Sequence, residues 1–88
     1  MQHETHPAIV KRLKRIAGHL RAVIEMIEQG RPCLDLAQQL HAVERAVANA
    51  KKILIHDHID RCLEHPRDKT GRNSRSSIQE FKELSKYL

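Results

Sequence analysis

Cys33, His58 and Cys62 are the residues of this 88-residue chain best suited to soft-metal chemistry. His58 and Cys62 stand four apart, so on a helix they share one face. Cys33 stands 25 residues before His58, with no proline or glycine between them. Along one straight helix that separation is about 37 Å, at roughly 1.5 Å per residue. A metal–sulfur bond is only about 2.3 Å long. One chain therefore cannot gather all three residues around one ion. Either they are unrelated, or two chains lie antiparallel and Cys33 of one meets His58 and Cys62 of the other.

Two thiolates and an imidazole form a soft donor set. It suits Cu(I), Zn(II) or, with a further nitrogen, Ni(II). Further nitrogens are at hand in His3, His6 and His65, the last seven residues beyond His58 on the same face. The bare pattern is only moderately specific, since a lone cysteine is usually a packing residue. A thiol or persulfide redox sensor, bridging Cys33 to the partner subunit's Cys62, is the rival reading. It leaves His58 without a role. Enzymatic Cys/His acyl transfer is weaker still, because no oxyanion-hole motif accompanies the pair. The expectation is a protein that is not an enzyme.

The composition sets bounds on both fold and partners. Phe81 and Tyr87 are the only aromatic residues, so any core is aliphatic. A domain of this size buries about 60% of its unfolded surface, which makes association an easy route to stability. The net charge of +5 and pI near 9.6 point to an anionic partner. No apolar run is long enough to span a bilayer, and no signal-peptide core is present. A cytoplasmic protein without membrane contact is expected. There, two cysteines serve as thiols, metal ligands or redox groups rather than a structural disulfide.

The positioning elements follow from periodicity. Residues 1–6 read as a flexible polar arm, and Pro7 suits the first turn of a helix. Ile9, Leu13, Ile16, Leu20, Val23 and Ile27 recur at helical spacing up to Gly30. After Arg31 and Pro32, Leu36, Leu40, Val43, Val47, Ala50 and Leu54 form a second stripe. Residues 7–63 thus predict an antiparallel helical hairpin. Residues 64–76 read as a linker, and 77–88 as a short C-terminal helix opened by a capping box at Ser77 and Glu80. Periodicity thus predicts one all-α domain with a three-helix protomer.

Symmetry adds an independent argument. Pairing Cys33 with His58 or Cys62 places the two-fold crossing of the second helix between residues 45 and 48. Ala42, Ala46 and Ala50 flank that point, and small side chains let helices approach closely. Alanine is also simply a good helix former. An isologous dimer so built holds two equal sites, one at each end of the paired helices.

Residues 11–21 hold Lys11, Arg12, Lys14, Arg15 and Arg21 and no acid. Arg45, Lys51 and Lys52 add charge on the second helix. Most charge runs are merely solvated. Yet like charges at helical spacing repel, and that cost suggests a polyanion. Few aromatics disfavour stacking on single strands, so double-stranded DNA is the better match. No helix-turn-helix signature is present.

The runs RLKRIAGHLRAVIEMIE, PCLDLAQQLHAVERAV and HDHIDRCLE, with the Cys-x24-His-x3-Cys spacing, closely resemble the CsoR/RcnR family of metal-sensing repressors. The resemblance covers about residues 7–64, with a looser match near IQEFKEL. It implies a single all-α metal-sensing, DNA-binding domain over residues 1–88, antiparallel four-helix-bundle dimers that pair into homotetramers, and an apo form that binds operator DNA until its effector releases it and derepresses an efflux or resistance gene. Cys33, His58 and Cys62 match the Cu(I) ligands of the copper-sensing branch. Glu80 resembles the acidic residue that supports those ligands, and Arg12 a basic residue linked to DNA binding. The nickel/cobalt branch has histidine where Cys62 stands and uses a histidine near the N-terminus. Formaldehyde sensors lack a thiol at the Cys62 position, and persulfide sensors lack histidine at the His58 position. Pro32 departs from the tyrosine that copper sensors often carry. His3 and His6 are unusual for a copper sensor, and some nickel sensors join an N-terminal histidine to this same Cys-His-Cys set. The resemblance therefore implies Cu(I) as effector, with Ni(II) or Co(II) as the alternative.

Overall fold

The computed structural model describes residues 6–64 and 72–88, with the backbone alone described at 61–64 and 72–77. Three helices follow in order: α1 (Pro7–Glu28), α2 (Cys33–Glu64) and α3 (Arg72–Ser85). No strand occurs among the described residues. The chain divides into two compact units, Met1–Ala50 and Lys51–Leu88, and α2 contributes to both.

Local chemistry fixes the ends of α1. Pro7 occupies its first turn, where no backbone donor is lost. The His6 carbonyl caps it by accepting from the Val10 N–H at 3.0 Å. His6 is therefore part of the helix start, not of a free arm. At the other end Gly30 takes φ +77°. Its N–H donates to Ile27 O at 3.0 Å, and the Arg31 N–H donates to Met26 O at 3.1 Å. This pair of reverse bonds is a Schellman stop, and it needs a left-handed residue that glycine adopts without a Cβ penalty. Pro32 then starts α2, its carbonyl accepting from the Leu36 N–H at 3.1 Å. Asp35 in the first turn complements the positive end of the helix dipole.

In the first unit, His19 Nε2–H donates to Gln39 Oε1 at 2.7 Å and pins α1 against α2. Within one residue of that antiparallel register, Ile9 comes level with Ala50, Ile16 with Val43, and Val23 with Leu36. Those positions are buried or half-buried, and Val23 is completely so at 0% exposure. The remaining members of the two stripes stay open. Leu13, Leu20, Ile27, Leu40 and Val47 are all exposed, Leu20 at 42% and Val47 at 45%. The sequence stripes are thus wider than the hairpin's own seam: one edge forms the intrachain core and the other faces outward.

In the second unit, Ile55 is buried and Leu84 half-buried. α3 begins at Arg72, five residues before the expected start at Ser77. The segment Arg72–Ser76, expected as linker, is helical. No proline or glycine follows Gly71, so nothing in the sequence blocks extension of the helix back to Arg72. The final turn tightens after Ser85, with Tyr87 N–H donating to Leu84 O at 2.9 Å.

Candidate metal centre

Cys33 is the first residue of α2, and its thiol is free and exposed. His58 lies on the same continuous helix, half-buried. Its Nε2 approaches Glu80 Oε1 of α3 at 3.2 Å, with side-chain exposures of 41% and 53%. A carboxylate on one ring nitrogen of a histidine fixes its tautomer and ring orientation. The position that the resemblance marked as supporting the ligands is therefore in direct contact with the histidine.

Cys62 falls within α2 as well, one helical turn beyond His58. Its side chain lies outside the described residues, as do His3 and His65. His6 is described and sits half-buried at the N-cap of α1. Among the described residues, no group of three or more His, Cys, Asp or Glu side chains gathers to hold a metal. Within the second unit the described geometry brings together His58 and Glu80, and in the first unit Cys33 opens α2.

Lys11, Arg12, Lys14 and Arg15 are all exposed on the N-terminal half of α1, as are Arg45, Lys51 and Lys52 on α2. No ion pair among the described residues engages any of them. The first turn of α1 carries no acidic residue. Like charges three and four residues apart on a helix repel, so this arrangement costs stability in isolation. A phosphate backbone would reverse the sign of that cost. Among the described residues, no helix is long and apolar enough to cross a membrane.

One contact escaped the sequence reading. His19 and Gln39 look like polar interruptions of the two stripes, yet they meet. The signal was their position: each sits between core residues, where a polar side chain needs a partner.

Residues 5–88 match a family model described as metal-sensitive transcriptional repressor. The copper-sensing transcriptional repressor CsoR of Bacillus subtilis strain 168 is 40% identical over 55 residues, which cover 62% of this chain and 54% of that protein. CsoR of Mycobacterium tuberculosis strain H37Rv is 33% identical over 56 residues, covering 64% of this chain and 47% of that protein. The chain spans about half the length of the curated relatives it matches. Among solved structures, the nickel-responsive transcriptional regulator InrS superposes with a TM-score of 0.76 at 30% identity, over 92% of this chain and 90% of that one.

Proposed function

This chain belongs to the metal-sensitive transcriptional repressor family, and from that premise we propose that its metal-free form binds operator DNA and that Cu(I) releases it. The family is one of repressors, not enzymes. The observation that carries the copper reading is the pairing of His58, on the helix that also holds Cys33 and Cys62, with Glu80 of α3. An imidazole already oriented by a carboxylate is a ligand prepared for a soft ion.

The site closes between two copies. Cys33 of one subunit joins His58 and Cys62 of the other in an antiparallel homodimer, which pairs further into a homotetramer. The open edge of the α1 and α2 stripes supplies an apolar face for that association. Two thiolates and one imidazole satisfy a three-coordinate Cu(I) without a fourth ligand. Lys11, Arg12, Lys14, Arg15, Arg45, Lys51 and Lys52 supply the phosphate contacts on duplex DNA. Such a repressor works beside the chromosome, in the cytoplasm.

A nickel reading has its own support in the likeness to InrS and in His3 and His6. Ni(II) would recruit a further nitrogen that Cu(I) does not need. Replacing His3 and His6 together by alanine should weaken Ni(II) and leave Cu(I) affinity nearly unchanged.

The test is DNA affinity with and without metal. A labelled duplex from the region upstream of the chain's own coding sequence is titrated by fluorescence anisotropy. Apo protein should bind, and Cu(I) should weaken binding by about 5- to 150-fold, the usual span of allosteric coupling. Release by Ni(II) and not by Cu(I) would replace the copper reading with the nickel one. Metal binding with no DNA affinity in either state would indicate a metal buffer instead.

A further inference from the structure

The hydrogen bond from His19 Nε2–H to Gln39 Oε1, 2.7 Å long and partly buried, crosses the α1/α2 hairpin inside an otherwise aliphatic seam. The amide oxygen of glutamine cannot donate, so the His19 Nε2 carries the proton. Its neighbours along the seam are Ile16 and Val23 on α1 and Leu36 and Val43 on α2. Aliphatic contacts of that kind tolerate small rotations of one helix on another. A hydrogen bond does not, because its energy falls steeply with angle and distance.

The two partners sit at meaningful places on their helices. His19 follows Arg15 by four residues and Arg12 by seven, so the three share one side of α1. Gln39 follows Cys33 by six residues, about 9 Å along α2 at roughly 1.5 Å per residue. The bond therefore links the thiol-bearing end of α2 to the helix that displays the basic face.

We infer that the His19–Gln39 hydrogen bond couples the ligand state of Cys33 to the direction in which Arg12 and Arg15 point. This rests on the metal-responsive reading above and adds the element that transmits the response. When Cys33 is drawn into a metal bond, the first turns of α2 rotate or shift. Gln39 moves with them, and the directional bond turns His19 and α1 with it. His19 and Gln39 are positioning residues: neither touches metal or DNA. A merely structural pair would lower stability equally in both ligand states and leave the ratio of DNA affinities untouched.

The experiment measures the ratio of DNA dissociation constants with and without Cu(I), on the upstream duplex, for wild type, His19→Leu, Gln39→Leu, the double variant and His19→Gln. Each leucine variant should cut the ratio by about fivefold or more, within the range of allosteric couplings. The double variant should lose no more than either single, since the two residues act as one unit. His19→Gln, whose amide N–H can still donate to Gln39, should recover most of the ratio. Cu(I) affinity, read by competition with a chromophoric chelator, should stay the same throughout. Ratios unchanged by the leucine variants overturn the inference, even if thermal stability falls, and so do losses that simply add. The wild-type arm separates this failure from that of the underlying reading: no metal-dependent change in wild type overturns both. A readout free of substitutions is the His19 ring N–H resonance of the wild-type protein. It should shift or begin to exchange on Cu(I) loading, and an unchanged signal would overturn the coupling.

Discussion

His58 Nε2 and Glu80 Oε1, 3.2 Å apart, join the C-terminal part of α2 to α3. α3 has 14 residues, a length at which an isolated helix is marginal in water. The contact therefore does two things. It ties α3 to α2 within the second unit, and it orients the imidazole proposed above as a metal ligand.

Glu80→Gln keeps the size of the side chain and removes its charge. Loss of such a partner typically weakens metal binding by about 10- to 100-fold. Cu(I) affinity should fall by that amount, measured by chelator competition, while apo DNA affinity stays within about twofold. Unchanged Cu(I) affinity would separate Glu80 from the site.

The two glycines of the first unit should respond with opposite signs. Gly30 has φ +77°, and a Cβ there meets no atom within 4 Å, so the cost of Gly30→Ala is conformational. It should destabilise by about 1–2 kcal/mol, the penalty of a left-handed non-glycine residue. Gly18 lies within α1 and also has open space around it. Gly18→Ala should stabilise by about 0.8–1 kcal/mol through helix propensity alone. Urea midpoints of the two variants decide the matter. Destabilisation by Gly18→Ala would mean that another chain packs against that face.

Val47 lies on the open edge of the α2 stripe, beside the expected two-fold crossing. Val47→Glu places a charge where two copies should meet, and an unpaired buried charge is strongly unfavourable. Sedimentation equilibrium should show dissociation of the dimer. An assembly as tight as wild type would move the dimer interface elsewhere.

Arg12 and Arg15 are exposed and engage no ion pair among the described residues. Each phosphate contact contributes about −0.9 to the slope of log affinity against log salt. Arg12→Ala should flatten the slope by about one contact and weaken binding on all duplexes alike. Full operator affinity in an Arg12→Ala, Arg15→Ala double variant would reduce this face to solvated charge.

The hairpin was legible because its signals are local. Period-3.6 stripes gave α1 and α2, and Gly30 and Pro32 marked the turn, since each owes its place to its own backbone constraints. The sidedness of the stripes was not legible. Leu13 and Ile16 look equivalent in a helical repeat, yet one is exposed and the other half-buried, because the seam is narrower than the stripe. The start of α3 at Arg72 was missed because Arg72–Ser77 holds no apolar residue on which periodicity could register. The kind and spacing of Cys33, His58 and Cys62 were legible as a candidate donor set, and it is the set proposed above. The His58–Glu80 contact was reachable only through family resemblance, as it joins residues 22 apart across segment 65–71, which has no periodic signal.

A subunit-mixing titration tests the shared metal-responsive site most directly. Cys33→Ala protein and a His58→Ala, Cys62→Ala double variant are each made, then mixed until subunit exchange is verified by mass spectrometry. Neither parent should bind Cu(I) tightly or leave the upstream duplex when Cu(I) is added. The mixture should regain one intact site per heterodimer, half the wild-type Cu(I) stoichiometry in that species, together with Cu(I)-dependent DNA release. Verified heterodimers that bind no more Cu(I) than their parents would contradict a site built from Cys33 of one subunit and His58 and Cys62 of the other.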